Sequence, residues 1–369
     1  MFWIEENIEV SYNQFLIDLQ SGKSSYGLFG YNYFFNLIKG LLRGYIPNSI
    51  DDLISYLITN KGSLNFNIHT SGTTSTPKKI NVNLGNCIRY VKTNSSDFEK
   101  RIWGMGYPVG SFASSQVFFQ SFINQETIIY LFGIDFKTSD SLFLNHNISN
   151  LNCTPTFLSM LLIHLKNSFS SIKKITTGGE KVKNNLIKSI NKTFKDAQYV
   201  NIYASTETGS LLYSNSEFFS IPKKYKDLIK IQDNTIWVHS NLLNSSTDLN
   251  EDTNWFNTND IVEYINETEF RFISRSNGYL NTGGFRISPS EIEDILIKMD
   301  NIIDVHVYGK PNSLLGTIIC ADIIGDDIDS KKIKSDLMKK STEKHLIPQV
   351  IRIVDSFEHV FNGKKKLMI

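Results

Sequence analysis

The spacing of apolar positions divides the chain into three stretches. In the first sixty residues apolar side chains recur at helical intervals. Tyr33-Phe34-Phe35-Asn36-Leu37-Ile38 and Asp51-Asp52-Leu53-Ile54-Ser55-Tyr56-Leu57-Ile58 predict two helices with connecting structure around them. From about residue 64 short apolar runs alternate with longer helical stretches. Strands are predicted at Leu64–Ile68, Thr127–Leu131, Ile172–Thr176 and Gln198–Ile202, and helices at Thr156–Leu165 and Lys181–Thr193. That alternation predicts an α/β fold: a large N-terminal domain with mostly parallel sheets flanked by helices.

After about residue 275 the pattern changes. Ser288-Pro289-Ser290-Glu291 predicts a helix start, with Ser288 as N-cap, Pro289 in the first turn and Glu291 closing a capping box. Ile292, Ile295, Leu296 and Met299 form its apolar stripe. Strands at Val305–Tyr308 and Ile318–Ile323, a Lys-rich helix at Ser330–Lys340 and a strand at Val350–Val354 complete a small α+β unit. The predicted domains are residues 1–276 and 277–369, with the boundary near Asn277.

Three of the predicted strands run into loops of small polar residues: Thr70 to Lys78, Thr177-Gly178-Gly179-Glu180, and Tyr203 to Gly209. Ligands of open α/β sheets bind outside the carboxyl ends of the strands, so these loops predict one site with three walls.

Charge and composition narrow the class. Lys+Arg 38 against Asp+Glu 37 leaves a net charge of +1, which points to neither nucleic acid nor a polybasic membrane patch. Cys87, Cys153 and Cys320 are too few and too scattered for a disulfide framework or a zinc cluster. The start of the chain is acidic and unlike a signal peptide, and no apolar run approaches the roughly 20 residues of a membrane span. The expected compartment is the cytoplasm.

The loop Thr70-Ser71-Gly72-Thr73-Thr74-Ser75-Thr76-Pro77-Lys78 carries the first chemical signal. Its hydroxyls and backbone N–H groups can wrap a polyphosphate, Gly72 permits close approach, and Lys78 supplies charge. It lacks the Gly-x-x-x-x-Gly-Lys-Ser/Thr spacing of a Walker A loop, and alone it leaves a surface turn as the alternative reading.

Its companions decide between those readings. Thr-Ser-Gly-Thr-Thr-x-x-Pro-Lys resembles the phosphate loop of the adenylate-forming (ANL) superfamily, which includes acyl-CoA synthetases. Tyr203-Ala204-Ser205-Thr206-Glu207 resembles that family's Tyr-Gly-x-Thr-Glu, and Trp255-Phe256-Asn257-Thr258-Asn259-Asp260 its Trp-Phe-x-Thr-Gly-Asp. Arg275 with the stretch Gly283 to Glu293, and Asn362-Gly363-Lys364 near the C-terminus, complete five motifs in order.

The resemblance implies an enzyme that uses ATP and Mg²⁺ to activate a small carboxylic acid as an acyl-adenylate. It implies later transfer to CoA or to the phosphopantetheine of an acyl carrier protein. Transfer to an amine, and a non-catalytic adenylate-binding module, are the alternatives. By the same resemblance Glu207 holds Mg²⁺, Thr206 contacts phosphate, Tyr203 stacks on adenine, and Asp260 accepts from the ribose hydroxyls with Arg275 in support. Lys364 reaches in from a small mobile lid domain, Asn277 is the hinge, and Gly283 and Gly284 lie beside the incoming thiol. The loop Gly178-Gly179-Glu180 and the neighbours Ala204 and Ser205 are counted with the nucleotide site.

Ser75, Ala204 and Asn259 each stand where the family has Gly, and Asn259 is expected to adopt a positive φ. Only sixty-nine residues precede the phosphate loop, which is read as a shortened N-terminal region. Phe112, Phe118 and Phe119 are candidate walls of the acyl pocket, or else core. No acidic residue near Phe112 is placed to pair with a substrate amine, which favours an unsubstituted fatty, hydroxy or aromatic acid. Gly104-Met105-Gly106-Tyr107-Pro108-Val109-Gly110 has the wrong spacing for a dinucleotide fingerprint and reads as an ordinary loop.

Overall fold

The computed structural model describes residues 1–70, 78–93, 99–182, 184–244, 254–275, 278–282, 285–312, 316–340, 344–355 and 357. Strands β1 (Trp3–Glu5) and β2 (Ile8–Val10) open the chain, followed by helices α1 (Tyr12–Ser21), α2 (Phe29–Leu42) and α3 (Ile50–Asn60). The helices start where hydroxyls can take orphan N–H groups: Ser11 accepts from Gln14 N and Ser49 from Asp52 N. Gly22, at φ 70°, ends α1 in the left-handed conformation. The two opening strands were not predicted, because three-residue runs are too short to show alternation.

Strands β3 (Asn65–Thr70) and β4 (Lys78–Asn83) form an antiparallel ribbon, with Thr70 opposite Lys78. The first predicted strand is therefore not part of the parallel sheet. It turns back on itself, and the hairpin holds the two ends of the phosphate loop side by side. After the short helix α4 (Leu84–Cys87) the alternating stretch begins: β5 (Ile102–Gly106), α5 (Phe112–Ile123), β6 (Thr127–Tyr130), α6 (Ser139–His146), β7 (Asn150–Cys153), α7 (Pro155–His164), β8 (Lys174–Gly178), α8 (Asn184–Thr193), β9 (Gln198–Ser205) and β10 (Gly209–Ser214).

These strands build an eight-stranded sheet in the order β10-β9-β8-β7-β5-β6-β1-β2, parallel from β9 to β1 and antiparallel at both edges. The segment expected to be a loop at Gly104 is the middle of β5. Glycine is used there for closeness: a Cβ on Gly106 would stand 2.7 Å from Cys153 Cβ and from the Phe157 ring. β1 joins the sheet beside β6, pairing Trp3 with Ile128 and burying Phe2 and Trp3 completely.

An antiparallel sheet follows that the sequence pattern did not reveal. Strands β11 (Phe218–Ser220), β12 (Ile229–Gln232), β13 (Thr235–His239), β14 (Trp255–Tyr264) and β15 (Glu269–Arg275) lie in the order β11-β15-β14-β13-β12. The C-terminal unit comprises the β16 (Leu280–Thr282) and β17 (Phe285–Ile287) hairpin, α9 (Pro289–Leu296), β18 (Ile302–Asn312), β19 (Gly316–Gly325), α10 (Ser330–Lys340) and β20 (Val350–Ile353). It has its own core, in which Ile292 and Leu296 of α9 meet Val305, Ile319 and Leu337. The helix starts where predicted, but the capping box is absent. Ser288 Oγ is hydrogen-bonded to Ser290 Oγ, which in turn donates to the Ile273 carbonyl. The expected domain junction at Asn277 lies outside the described residues, between β15 and β16.

Candidate active site

The site is assembled at the carboxyl end of β9. Register places Gly178, the last residue of β8, opposite Ile202, so the Gly178-Gly179-Glu180 loop stands beside the Tyr203 turn. A Cβ on Gly178 would come within 3.1 Å of the Ile202 carbonyl, and Gly179 adopts φ 86°. Glu180 does not stand free in this loop: its Oε2 accepts the Thr156 N–H at 3.0 Å, in the first turn of α7.

Tyr203 faces the antiparallel sheet. Its ring stacks on Phe272 at 4.3 Å between centroids, and its hydroxyl donates to Asp260 Oδ2 at 2.6 Å. Burial first, and then the negative charge of Asp260, push this hydroxyl well above its ordinary range, so it remains a donor. The other carboxylate oxygen of Asp260 accepts from Arg275 Nε at 2.8 Å. Asp260 and Arg275 are register partners across β14 and β15. The Asp260 charge raises the Arg275 guanidinium above its usual range.

Asp260 itself is buried, and its backbone N–H donates to Thr258 Oγ1 at 3.2 Å. Just before it, Asn259 has φ 60°, the conformation expected of an Asn in a Gly position. A carboxylate offers about four lone-pair directions. Tyr203 and Arg275 use one on each oxygen, which leaves acceptor capacity for further hydroxyls.

The turn after Tyr203 is braced from two sides. Ser205 Oγ accepts the Thr208 N–H at 3.2 Å and shares a hydrogen bond with Thr208 Oγ1 at 3.0 Å. Asn244 donates from its backbone to the Glu207 carbonyl and from Nδ2 to the Thr206 carbonyl, both at 2.6 Å. Ala204 sits in strand register opposite Ser210. The Glu207 side chain is half-buried, and among the described residues its carboxylate has no hydrogen bond or ion pair. Free carboxylate oxygens of that kind suit a hard divalent ion such as Mg²⁺. Among the described residues no cluster of three His, Cys, Asp or Glu could hold a metal by itself.

The three candidate acyl-pocket phenylalanines separate. Phe112, at the start of α5, lies against Gly209, where a Cβ would be 3.3 Å from its Cζ. Phe118 and Phe119 share the same core cluster further along the helix and are fully buried, Phe118 stacked on Phe34 at 4.1 Å and Phe119 tilted against Phe66 at 5.9 Å. Six and seven residues along the helix from Phe112, about 10 Å of rise, they belong to the aromatic core under α2. Ser71, Gly72, Thr73, Thr74, Asn277, Gly283, Gly284 and Lys364 lie outside the described residues; Thr70 and Lys78 are described only as the strand ends flanking the loop.

Phe272 and Asn244 are parts of the site that sequence reading missed, while Thr258 was read only as a member of its motif. Phe272 was visible only as an apolar alternation with Phe270, and Asn244 belongs to no motif.

The two units meet beside the site. Lys181 Nζ lies 2.6 Å from Asp294 Oδ2, and Asn185 Nδ2 donates to the Ile297 carbonyl at 3.1 Å. Between α7, α8 and the small unit lies a cavity of about 1030 Å³, walled by Thr156, Glu180, Arg275, Glu293 and His306 among others. Tyr203, Glu207 and Asp260 do not line it. Among the described residues no helix is long and apolar enough to cross a membrane.

Comparison with known proteins agrees with this architecture. The AMP-binding enzyme family matches residues 56–230. The putative long chain fatty acid-CoA ligase VraA of Staphylococcus haemolyticus is 25% identical over 305 residues, covering 78% of this chain and 65% of that protein. The 2-succinylbenzoate–CoA ligase of Bacillus pumilus is 24% identical over 307 residues, covering 76% of this chain and 62% of that protein. The chain thus spans less than two thirds of the length of either relative. Among solved structures, O-succinylbenzoate CoA synthetase from Bacillus subtilis with ATP and magnesium ion superposes at a TM-score of 0.58, with 19% identity over 82% of this chain and 68% of that one. The same enzyme with its acyl-adenylate intermediate gives 0.59, with 18% identity over 99% of this chain and 81% of that one. At these identities the likeness to the solved structures is one of fold.

Proposed function

We propose that this chain, whose residues 56–230 match the AMP-binding enzyme family, is an acyl-CoA-synthetase-like member of the adenylate-forming superfamily that activates a small carboxylic acid with ATP and passes the acyl group to CoA. The observation that carries this reading is the Tyr203–Asp260–Arg275 cluster at the end of β9, beside the Gly178 loop and the unpaired Glu207. In the proposed reaction a carboxylate oxygen bonds to the α-phosphorus of ATP, and the bond to the bridging oxygen breaks to release pyrophosphate. A thiolate then attacks the acyl carbon and AMP leaves. Both steps call mainly for positioning and for stabilisation of developing charge.

In this reading Asp260 accepts from the ribose hydroxyls with its remaining lone pairs, and Arg275 fixes its orientation. Tyr203 has one ring face against Phe272 and offers the other to adenine. Gly178 and Gly179 let the backbone approach the base. Glu207 would hold Mg²⁺, which neutralises phosphate charge when bound, and Thr206 would donate to phosphate. Thr70 and Lys78 fix the ends of a loop whose Ser71, Gly72, Thr73 and Thr74 would enclose the polyphosphate. Phe112 against Gly209 would form one wall of the acyl pocket. Lys364 of residues 277–369 would bridge ribose and attacking carboxylate. Turning about Asn277 would then bring Gly283 and Gly284 to the thiol. The relatives named CoA ligases favour CoA over a carrier protein as acceptor.

A pyrophosphate-release screen across carboxylic acids, with and without CoA, tests this reading. Acid-dependent release is expected, with acyl-CoA formed when CoA is added. Lys364→Ala is expected to lower release at least 100-fold; release that survives it unchanged rules out the assigned mechanism.

A further inference from the structure

The turn that presents Thr206 and Glu207 is pinned from outside by a residue more than thirty positions away. Asn244 follows the Ser240–Leu242 turn, is 6% exposed, and makes two short hydrogen bonds to consecutive carbonyls: N to Glu207 O and Nδ2 to Thr206 O, both 2.6 Å. The orientation of its amide is forced. Reversed, Oδ1 would face the Thr206 carbonyl, setting two acceptors against each other. As it stands, Oδ1 is buried and has no hydrogen-bond partner among the described residues. A buried orphan acceptor costs free energy and calls for an explanation in function or structure.

The same amide closes the far side of the turn. A Cβ on Gly209, which has φ 70°, would stand 3.6 Å from Asn244 Oδ1 and 3.7 Å from Nδ2. With Ser205 tying Thr208 from within, the backbone on either side of Glu207 is held by hydrogen bonds at Thr206 O, Glu207 O and Thr208 N. The Glu207 carboxylate, by contrast, makes no hydrogen bond or ion pair among the described residues, only a longer-range attraction to Arg275, so its direction depends on the backbone that carries it.

We infer that Asn244 is a positioning residue: by holding the Thr206 and Glu207 carbonyls it fixes the direction in which the Glu207 carboxylate leaves the turn toward a metal-bound nucleotide. The inference rests on the proposed role of Glu207 in holding Mg²⁺.

The test compares wild type with Asn244→Leu and Asn244→Asp. The leucine keeps the volume and the backbone N–H but loses the Nδ2 donor. The aspartate places an acceptor against the Thr206 carbonyl. The readout is Mn²⁺ affinity, measured by electron paramagnetic resonance in the presence of a non-hydrolysable ATP analogue, beside kcat and KM for pyrophosphate release. Residues that orient a metal ligand change metal affinity by about 10- to 100-fold, so Asn244→Leu is expected to weaken Mn²⁺ binding about 10-fold, with kcat falling in parallel. Asn244→Asp is expected to weaken it further.

A merely structural amide predicts the opposite, since leucine removes the orphan acceptor and would leave Mn²⁺ affinity intact. Unchanged affinity in folded Asn244→Leu, established by circular dichroism, overturns the inference while leaving the assignment of Glu207 standing. Should the aspartate or leucine variant fail to fold, Asn244→Ala carries the same expectation and the same refutation. Wild type that binds the nucleotide analogue with no dependence on Mn²⁺ overturns the role of Glu207 and this inference together.

Discussion

Arg275 Nε stands 2.8 Å from Asp260 Oδ1 across two antiparallel strands, yet the arginine side chain is 51% exposed and the aspartate 8%. The asymmetry decides what each partner contributes. A guanidinium open to solvent is screened, and such a pair is worth about 0–1 kcal/mol. The Tyr203 hydroxyl, by contrast, donates from a partly buried position to the same charged group at 2.6 Å, and a hydrogen bond to a charge is worth about 1.5–3 kcal/mol.

Tyr203→Phe is therefore expected to damage nucleotide binding more than Arg275→Lys. Tyr203→Phe should raise KM for ATP at least ten-fold, and Arg275→Lys no more than about five-fold, with far-UV circular dichroism unchanged in both. Steady-state kinetics in ATP check the order. An equal loss in the two variants would mean that the arginine touches the nucleotide directly.

Acid sensitivity should arise far from the site, at Asp18. Burial alone would raise this carboxyl, but Ser25, Gln14 and Tyr31 donate to it and hold it below its ordinary value. A depressed folded pKa stabilises the protein above the unfolded value of about 3.9, and that stabilisation is lost as pH falls through the folded value. Urea midpoints are expected to include a fall below about pH 4 that Asp18→Asn lacks. At pH 7 the asparagine variant should be less stable by roughly 1–3 kcal/mol.

Gly106 tests the packing of the sheet against α7. An alanine there puts a methyl 2.7 Å from Cys153 and Phe157 in the middle of the sheet. Gly106→Ala should cost about 1–3 kcal/mol by overpacking, read as a lower thermal midpoint. A neutral result would show that β5 and α7 can separate without strain.

The contact between the two units should be weak. Lys181 and Asp294 are 20% and 37% exposed, so their 2.6 Å ion pair is worth about 0–1 kcal/mol. Asp294→Ala is expected to change pyrophosphate release by no more than about five-fold, and pairing Lys181→Asp with Asp294→Lys should restore it. A loss beyond ten-fold would make this pair part of the chemistry rather than a tether between units.

How far the sequence could be read depended on how local the cause was. Ser330–Lys340 is a helix with the predicted bounds, because amphipathic spacing needs no distant partner. The positive φ of Asn259 was readable from residue type alone. The hairpin of β3 and β4 was not, since its strand looks like any other short apolar run until β4 is seen to pair with it. Ser288 failed as a side-chain cap because Ser290 competed for its hydroxyl, which no spacing rule captures. The site divides in the same way. Tyr203 and Asp260 carried motifs, while Phe272 and Asn244 act through contacts across 69 and 37 or 38 positions that only folding reveals.

The seating of β1 beside β6 has a consequence for biosynthesis. Trp3 meets Ile128, a partner 125 residues later in the chain. At about 5–20 residues per second, translation leaves Phe2 and Trp3 without their sheet for roughly 6–25 s. For that interval two large apolar side chains are open to chaperones and to neighbouring nascent chains. Phe2 and Trp3 are thus protected only once residue 128 has been made, and slow codons in the intervening stretch would lengthen their exposure.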